Sequence, residues 1–386
     1  MEGKMDREGS LTFLEAASII VGHGVGVGIL AVPYLASRNS WLHIIIICAV
    51  CYLINLLMHY MIAELSYNNK GAQFIKCFKN ELFTGKIGKP LTWADFFFLG
   101  LSVLVNVAGY IAGSAAVINS WFGLDSRLGM LIYYAVVSLV VLYGLKMVGI
   151  FEKISVISMV GVVGILFVSA MIHSKSGFAN EFIDIKNVAA LYSMVMFSLS
   201  AVMSVPQVVK GLGGDIKKIK SSIAVGTGVN LFLIILITVM TIIGTGGNVS
   251  ESGALVDLSQ SIGGWVGIVG YVFSLLALST SFWANTLNLR DIVYEQTGLK
   301  RRLSYLVCSI PSLILALLGL QSFVGFTRLA GVIQVLTGIG IILAYRNSRK
   351  KASLSPICGK FGTAPFRILV IVSSLLATVG SLVKVV

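Results

Sequence analysis

Apolar runs of about 18 to 27 residues follow one another along this chain, separated by short polar connections. At 1.5 Å of rise per helical residue, such runs are long enough to cross a hydrocarbon core of roughly 30 Å. Inside that core a backbone must satisfy its own hydrogen bonds, so each run reads as one membrane-crossing helix. Charge is correspondingly scarce: 12% of the 386 residues are Asp, Glu, Lys or Arg, against about 25% in a soluble domain. With 56% hydrophobic residues and a mean hydropathy of +0.92, an ordinary soluble protein is excluded. An all-α polytopic membrane protein is expected.

Apolar length and helix breakers place about eleven helices, at 11–36, 41–63, 93–122, 127–145, 151–173, 188–210, 222–245, 264–290, 303–320, 322–345 and 365–386. Residues 1–10 form a polar segment of mixed charge, retained because the apolar stretch after it is too long and too rich in glycine for a cleaved signal. The rest, 11–386, reads as a single transmembrane domain. Its longest polar stretches, 64–92 and 245–263, each have room for a short helix lying at the interface.

A net charge of +13 raises nucleic-acid binding, but that function needs a basic face on a folded soluble domain, and the basic residues here sit in short loops. Threading the eleven helices from a cytoplasmic N-terminus puts 23 of the 29 Lys and Arg on the inside, five outside (Arg38, Arg127, Lys175, Lys186, Lys384), and Arg328 within a helix. The positive-inside rule therefore predicts a multi-pass protein of the cell membrane, N-terminus in and C-terminus out. Cys48 and Cys51 form a CxxC, yet it lies inside IIIICAVCYLINLL, where thiols one turn apart pack as small apolar groups.

Two segments carry breaks. In VGHGVGVGILAVPY, residues 21–34, Gly22, Gly24, Gly26 and Gly28 alternate ahead of Pro33. Each glycine costs about 1 kcal/mol relative to Ala in a helix interior, so helix is weak here. The same residues also have GxxxG spacing, which packs helices closely. The sixth segment clusters Ser198, Ser200 and Ser204 ahead of Pro206, a pattern that gives either a kink or a second break. It follows the first segment by five helices and so crosses in the opposite sense. Paired interruptions in two inverted halves point to the midplane site of a transporter.

GVGILAVPYLA, from Gly26 to Ala36, resembles the first-helix signature of the amino acid/auxin permease family, within the amino acid, polyamine and organocation superfamily. AELSYNNKGAQ, from Ala63 to Gln73, and MFSLSAVMSVPQVV, from Met196 to Val209, are similar to the family's second-helix junction and sixth helix. The resemblance implies the leucine-transporter fold: inverted repeats of five helices, here 11–173 and 188–345, plus an extra helix at 365–386. It also implies that amides around Val27 and Gly28 hold a substrate carboxylate, and that carbonyls near Gly22 and from Phe197 through Ser198 to Ser200 hold an ammonium, with Gly24 and Gly26 keeping the space open. Asn106 and Tyr110, one turn apart on the third helix, either face that site or bond between helices.

Ser279, Thr280 and Ser281 run in a row on the eighth helix. Superfamily members with a sodium site between the first and eighth helices use hydroxyls here, and by resemblance Gly22, Val25, Ser279 and Thr280 would hold sodium. The other reading of the run is back-bonded polar glue. His23, beside the glycines, is the proton-coupling alternative, and Glu15 and Arg328 are further ionisable residues within helices.

The expected function is a secondary active transporter that imports a neutral amino acid by cation-coupled alternating access, sodium favoured over the proton. Its partners are the amino acid, the coupling cation and the bilayer, with no nucleic acid, no cofactor and no enzymatic activity. A channel would show a repeated filter or a ring of like charge. A membrane enzyme would show clustered His, Asp or Glu, whereas the four histidines form no HExxH and no GxxxxGK[ST] occurs. The charge asymmetry makes a direct prediction: single cysteines at Lys218 and Lys350 should take a membrane-impermeant label only from the cytoplasmic side, and one at Gly253 only from outside. Labelling at Gly253 exclusively from inside would overturn the threading.

Overall fold

The computed structural model describes residues 10–175, 184–251, 253–319, 323–352 and 356–383, with side chains described at all of these but Val27 and residues 323–336. The side chain of Arg328 therefore lies outside the described residues. The regular structure is helical throughout, with no strand among the described residues. The first span is α1 (Phe13–Gly24), a 3₁₀ turn (Val27–Leu30) and α2 (Val32–Ala36). Next come α3 (Trp41–Asn68), the short α4 (Phe74–Glu81), α5 (Gly88–Phe122), α6 (Ser126–Leu142) and α7 (Leu145–Ile172). The sixth span is α8 (Ile185–Ser198), a 3₁₀ turn (Val202–Ser204) and α9 (Val205–Gly211). The chain then continues through α10 (Ile216–Thr245), α11 (Ala254–Ile262), α12 (Trp265–Thr297), α13 (Arg301–Leu317), α14 (Phe323–Lys351) and α15 (Ala364–Ser381).

Seven of these spans are long and apolar enough by themselves to cross a membrane, and the bent first span adds an eighth. Outward faces carry exposed Leu42, Ile45, Ile46 and Leu53 on α3 and Ile157, Ile165 and Val168 on α7, as lipid contact requires. The short helices expected in the two long polar stretches are α4 and α11.

Six helices, α3, α5, α7, α10, α12 and α14, run further than apolar length indicates, and three of them show why. α5 starts at Gly88 rather than 93, because Pro90 falls in its first turn, where its missing N–H is no loss. α12 continues past 290 through Arg290 and Asp291, since Asp291 accepts from Arg290 (2.7 Å) and from Lys210 of α9 (3.2 Å). α14 carries on through its basic end to Lys351, where Lys351 Nζ meets Glu81 Oε2 of α4 at 2.8 Å.

Helix ends follow local chemistry. α1 opens on a capping box, with Glu15 N–H donating to Thr12 Oγ1 and Thr12 N–H to Glu15 Oε2. The same Glu15 carboxylate takes the Lys146 ammonium of α7 at 2.6 Å, so its role is to cap α1 and tie it to α7. α5 and α10 stop at Gly123 and Gly246, each in the left-handed region (φ 67° and 65°), where a side chain would be strained.

The interior is two apolar cores rather than one. The first takes Ile19 and Ile20 of α1, Met61 to Leu65 of α3, Val148 of α7, Ala201 to Leu212, Ile223 of α10 and Phe282 to Leu289 of α12. The second takes Val21 to Ala36, Ile44 to Ile54 of α3, Val156 to Leu166 of α7, Ala190 to Leu199 of α8, Leu233 to Ile242 of α10 and Phe273 to Ala277 of α12. Between them lie buried polar residues, two from each of four long helices: Asn55 and His59 of α3, Glu152 and Ser155 of α7, Thr227 and Asn230 of α10, and Thr280 and Ser281 of α12. The boundary passes through both interrupted spans, between Ile20 and Val21 and between Leu199 and Ala201.

α1 is held against α7, α10 and α12 by small residues. A Cβ on Gly226 of α10 would stand 2.7 Å from both the Ala17 carbonyl oxygen and Ile20 Cβ. Gly226→Leu should therefore overpack this contact and lower stability by about 1–3 kcal/mol, seen as a lower Tm in detergent. Gly161→Leu, in open space on α7, should leave the Tm unchanged.

Candidate functional site

The alternating glycines of the first span end its helix where the two cores meet. Val25 N–H closes the last α-type bond on Val21 O (2.7 Å), and Gly26 N–H, which a continuous helix would give to Gly22 O, turns back to Gly24 O (2.8 Å). Bonding resumes as a 3₁₀ turn with Ile29 N–H on Gly26 O and Ala31 N–H on Gly28 O, and the axis changes direction by 61°. The serine-rich sixth span breaks as well. Ser200 N–H bonds Phe197 O (3.0 Å), Ser204 N–H bonds Ala201 O (3.0 Å), and between them Ala201 N–H leaves the ladder and donates to His59 Nε2 (3.0 Å).

Each break is framed by the helix that follows the other one. Asn230 Nδ2 of α10 donates to Ile20 O at 3.3 Å, four residues before Gly24. Asn55 Nδ2 of α3 donates to Met196 O at 3.3 Å, four residues before Ser200. Both asparagines thus cap a carbonyl just ahead of an interruption, as expected of two related halves. His59 accepts at Nε2, so its proton is on Nδ1, facing Thr227 Oγ1 at 3.3 Å. His23 lies with Nδ1 2.9 Å from Ser204 Oγ and so joins the first break to the second. Asn288 of α12 donates to Met203 O (2.9 Å) and Gln73 Oε1 (2.7 Å), anchoring the far side of the second break.

The two breaks face one another. A Cβ on Gly24 would come 3.2 Å from the Ser198 carbonyl oxygen, and one on Gly28 would come 3.1 Å from the Phe197 ring and 3.3 Å from Ser198 Oγ. Ser198 Oγ is buried without a hydrogen-bond partner among the described residues. Phe197, 60% exposed, stands over Gly28. Ser281 Oγ approaches Gly26, at 3.5 Å from a would-be Cβ. Beyond it Tyr110 Oη of α5 accepts from Asn106 Nδ2 (3.0 Å) and Asn285 Nδ2 (3.4 Å). The glycines therefore serve close packing and interruption together: Gly22 and Gly24 abut other helices, and Gly26 and Gly28 border the break.

The structure brings together Gly22, Gly24, Gly26, Gly28, Phe197 and Ser198, with His23 at the join and Ser200 in the second break. The Val27 side chain lies outside the described residues. Of the hydroxyl run, Thr280 borders Gly22 and donates to Ala277 O (3.0 Å), and Ser281 borders Gly26. Ser279 falls three residues before Phe282 and shares its helix face, and Phe282 packs edge-on against Tyr133 and Tyr134 of α6. Phe282 thus faces α6. Sequence reasoning missed Glu152, Asn230, Asn55 and His59. The sequence signal that bears on Glu152 is an acid inside the fifth apolar segment, 151–173.

A comparison with curated proteins finds no match in sequence. Among solved structures, this chain is similar to MhsT in complex with L-phenylalanine: TM-score 0.68, 15% identity, 97% of this chain and 100% of that one covered. It is also similar to Mhp1, a nucleobase-cation-symport-1 family transporter, in a closed conformation with bromovinylhydantoin bound: TM-score 0.67, 14% identity, 98% and 92% covered. At such identities the likeness speaks for the fold, which is the leucine-transporter fold expected above. The family resemblance noted above was to amino acid/auxin permeases, whereas the family profile that matches, over residues 10–380, is that of the tryptophan/tyrosine permeases. This chain belongs to the tryptophan/tyrosine permease family.

Proposed function

We propose that this protein is a secondary active transporter that imports a neutral amino acid of the aromatic class across the cell membrane, coupled to a cation gradient, with its N-terminus inside and its C-terminus outside. The observation that carries it is the meeting of two broken spans at the boundary between the cores, with Gly28, Phe197 and Ser198 in contact range. A zwitterion needs donors for its carboxylate and acceptors for its ammonium in a place that excludes water. The exposed end of a helix supplies both kinds of backbone group. The first break presents the start of a 3₁₀ turn at Val27 and Gly28 to the carboxylate, and the carbonyls from Phe197 to Ser200 border the ammonium position.

The substrate class draws on the family's description and on the side chains around the breaks. Phe197 and Tyr110 offer aromatic faces, on which another ring packs offset or edge-on. The unpartnered Ser198 hydroxyl is available to an indole N–H or a phenol O–H, and no charged side chain stands against Gly28. Wild-type protein in proteoliposomes, given labelled Trp, Tyr, Phe, Leu, Glu and Lys with sodium and pH gradients set independently, should accumulate the aromatic amino acids against their own gradient and exclude Glu and Lys. Gly28→Leu, whose side chain enters the space before Phe197, should weaken binding by at least about tenfold, roughly 1.4 kcal/mol, while the protein stays folded. Downhill flux without accumulation under either gradient would identify a channel, and wild-type affinity in Gly28→Leu would reduce the first break to a packing motif.

A further inference from the structure

Glu152 lies two turns into α7 and is fully buried, and neither carboxylate oxygen has a hydrogen-bond partner among the described residues. The carboxylate fills the place that a side chain on Gly22 would occupy: Cδ is 2.8 Å from the would-be Cβ, and Thr280 Cβ is 2.9 Å from the same point. It is therefore wedged between the last turn of α1 and the middle of α12. Gly22 O, the carbonyl whose usual donor is diverted to Gly24, belongs to the residue it abuts.

The elements packed on α7 do not neutralise it. On α1, Glu15 is bound to Lys146 and His23 to Ser204. On α9 and α12, Lys210 and Arg290 meet Asp291, and the Glu295 carboxylate receives the Gln73 N–H. On α10, Lys217, Lys218 and Lys220 lie in the first turns, with Lys218 on Asp215. On α6, Arg127 is at the N-terminus, and Tyr133 and Tyr134 pack on Phe282. On α11, Asp257 accepts from Ser250. No ion pair joins any of these groups to Glu152 among the described residues. A carboxylate buried this way is tolerated only when neutral or when a cation sits on it.

We infer that Glu152 is the seat of the coupling cation, its carboxylate taking one monovalent cation, a proton or a sodium ion, between α1, α7 and α12 in each cycle. This rests on the transport function proposed above. A cation there removes an uncompensated charge against the hinge of the first span, so its arrival and departure change which packing of α1 on α7 and α12 is favoured. A proton from one side turns the carboxylate into a carboxylic acid, and its loss to the other side regenerates the carboxylate. A sodium ion would bind the carboxylate oxygens directly.

The test compares wild type, Glu152→Gln and Glu152→Asp in proteoliposomes, measuring amino acid exchange at equal cation concentrations and accumulation under a sodium or a pH gradient alone. Glu152→Gln, permanently neutral, should keep exchange within about twofold of wild type and lose gradient-driven accumulation entirely, and the gradient that drives wild type identifies the cation. Glu152→Asp, which withdraws the carboxylate by one methylene, should shift the cation concentration or pH of half-maximal uptake at least several-fold with little change in amino acid KM. Accumulation by Glu152→Gln equal to wild type overturns the inference. If that variant does not fold, an unchanged cation half-saturation in Glu152→Asp overturns it. Wild type that neither exchanges nor accumulates any amino acid overturns the transport function itself, an outcome separate from the other two.

Discussion

The buried polar layer between two apolar cores is the constraint on which the rest of this structure depends. A membrane protein needs no polar interior to fold, and each polar group there must find a partner or cost free energy. Here four long helices, α3, α7, α10 and α12, contribute to the boundary between the cores, and both interrupted spans break there. The side chains of the layer are what the broken backbone needs. His59 receives the stray Ala201 N–H, while Asn55 and Asn230 cover the carbonyls ahead of the breaks. The breaks and the layer therefore require each other.

The first span is also tied at its two ends. At one end Leu11 N–H donates to Gly211 O, and Glu15 holds Lys146. At the other, Tyr34 Oη of α2 donates to Glu251 Oε1 at 3.2 Å. The turn from Gly24 to Gly26 lies between these ties, with few side-chain atoms to resist a change of angle. The alternating access proposed above requires a hinge of this kind, at which α1, on α7, α10 and α12, and α2, on α10 and α8, can move separately.

Much of this architecture was legible in the sequence, because apolar length and helix breakers are local properties. The all-helical order, the short helices α4 and α11, and both interruptions follow from runs, glycines and prolines, whereas of the eleven expected spans seven, or eight with the bent first one, are long and apolar enough to cross a membrane among the described residues. Legibility ended where a tertiary partner decides. Arg290 and Asp291 read as a helix end, yet with Lys210 they form a compensated cluster that α12 traverses. Of the hydroxyl run, Thr280 and Ser281 border Gly22 and Gly26, a rotation of α12 set by its packing and not by the run itself. Glu152 went unread because its place beside Lys153 near the start of the fifth segment does not separate an interfacial end from the interior, a distinction made by the packing of α7 on Gly22.

The central claim is that the two breaks make one substrate site. Hydrogen–deuterium exchange of the detergent-solubilised protein, with and without saturating L-tryptophan, tests it directly because the amides outside the helical ladders at both breaks are those a substrate would cover. The account requires slower exchange in residues 22–31 and 197–204 together, at the same ligand concentration, with the lipid-facing turns of α7 unchanged. Protection confined to one of the two segments, or to neither while L-tryptophan is bound, would contradict it.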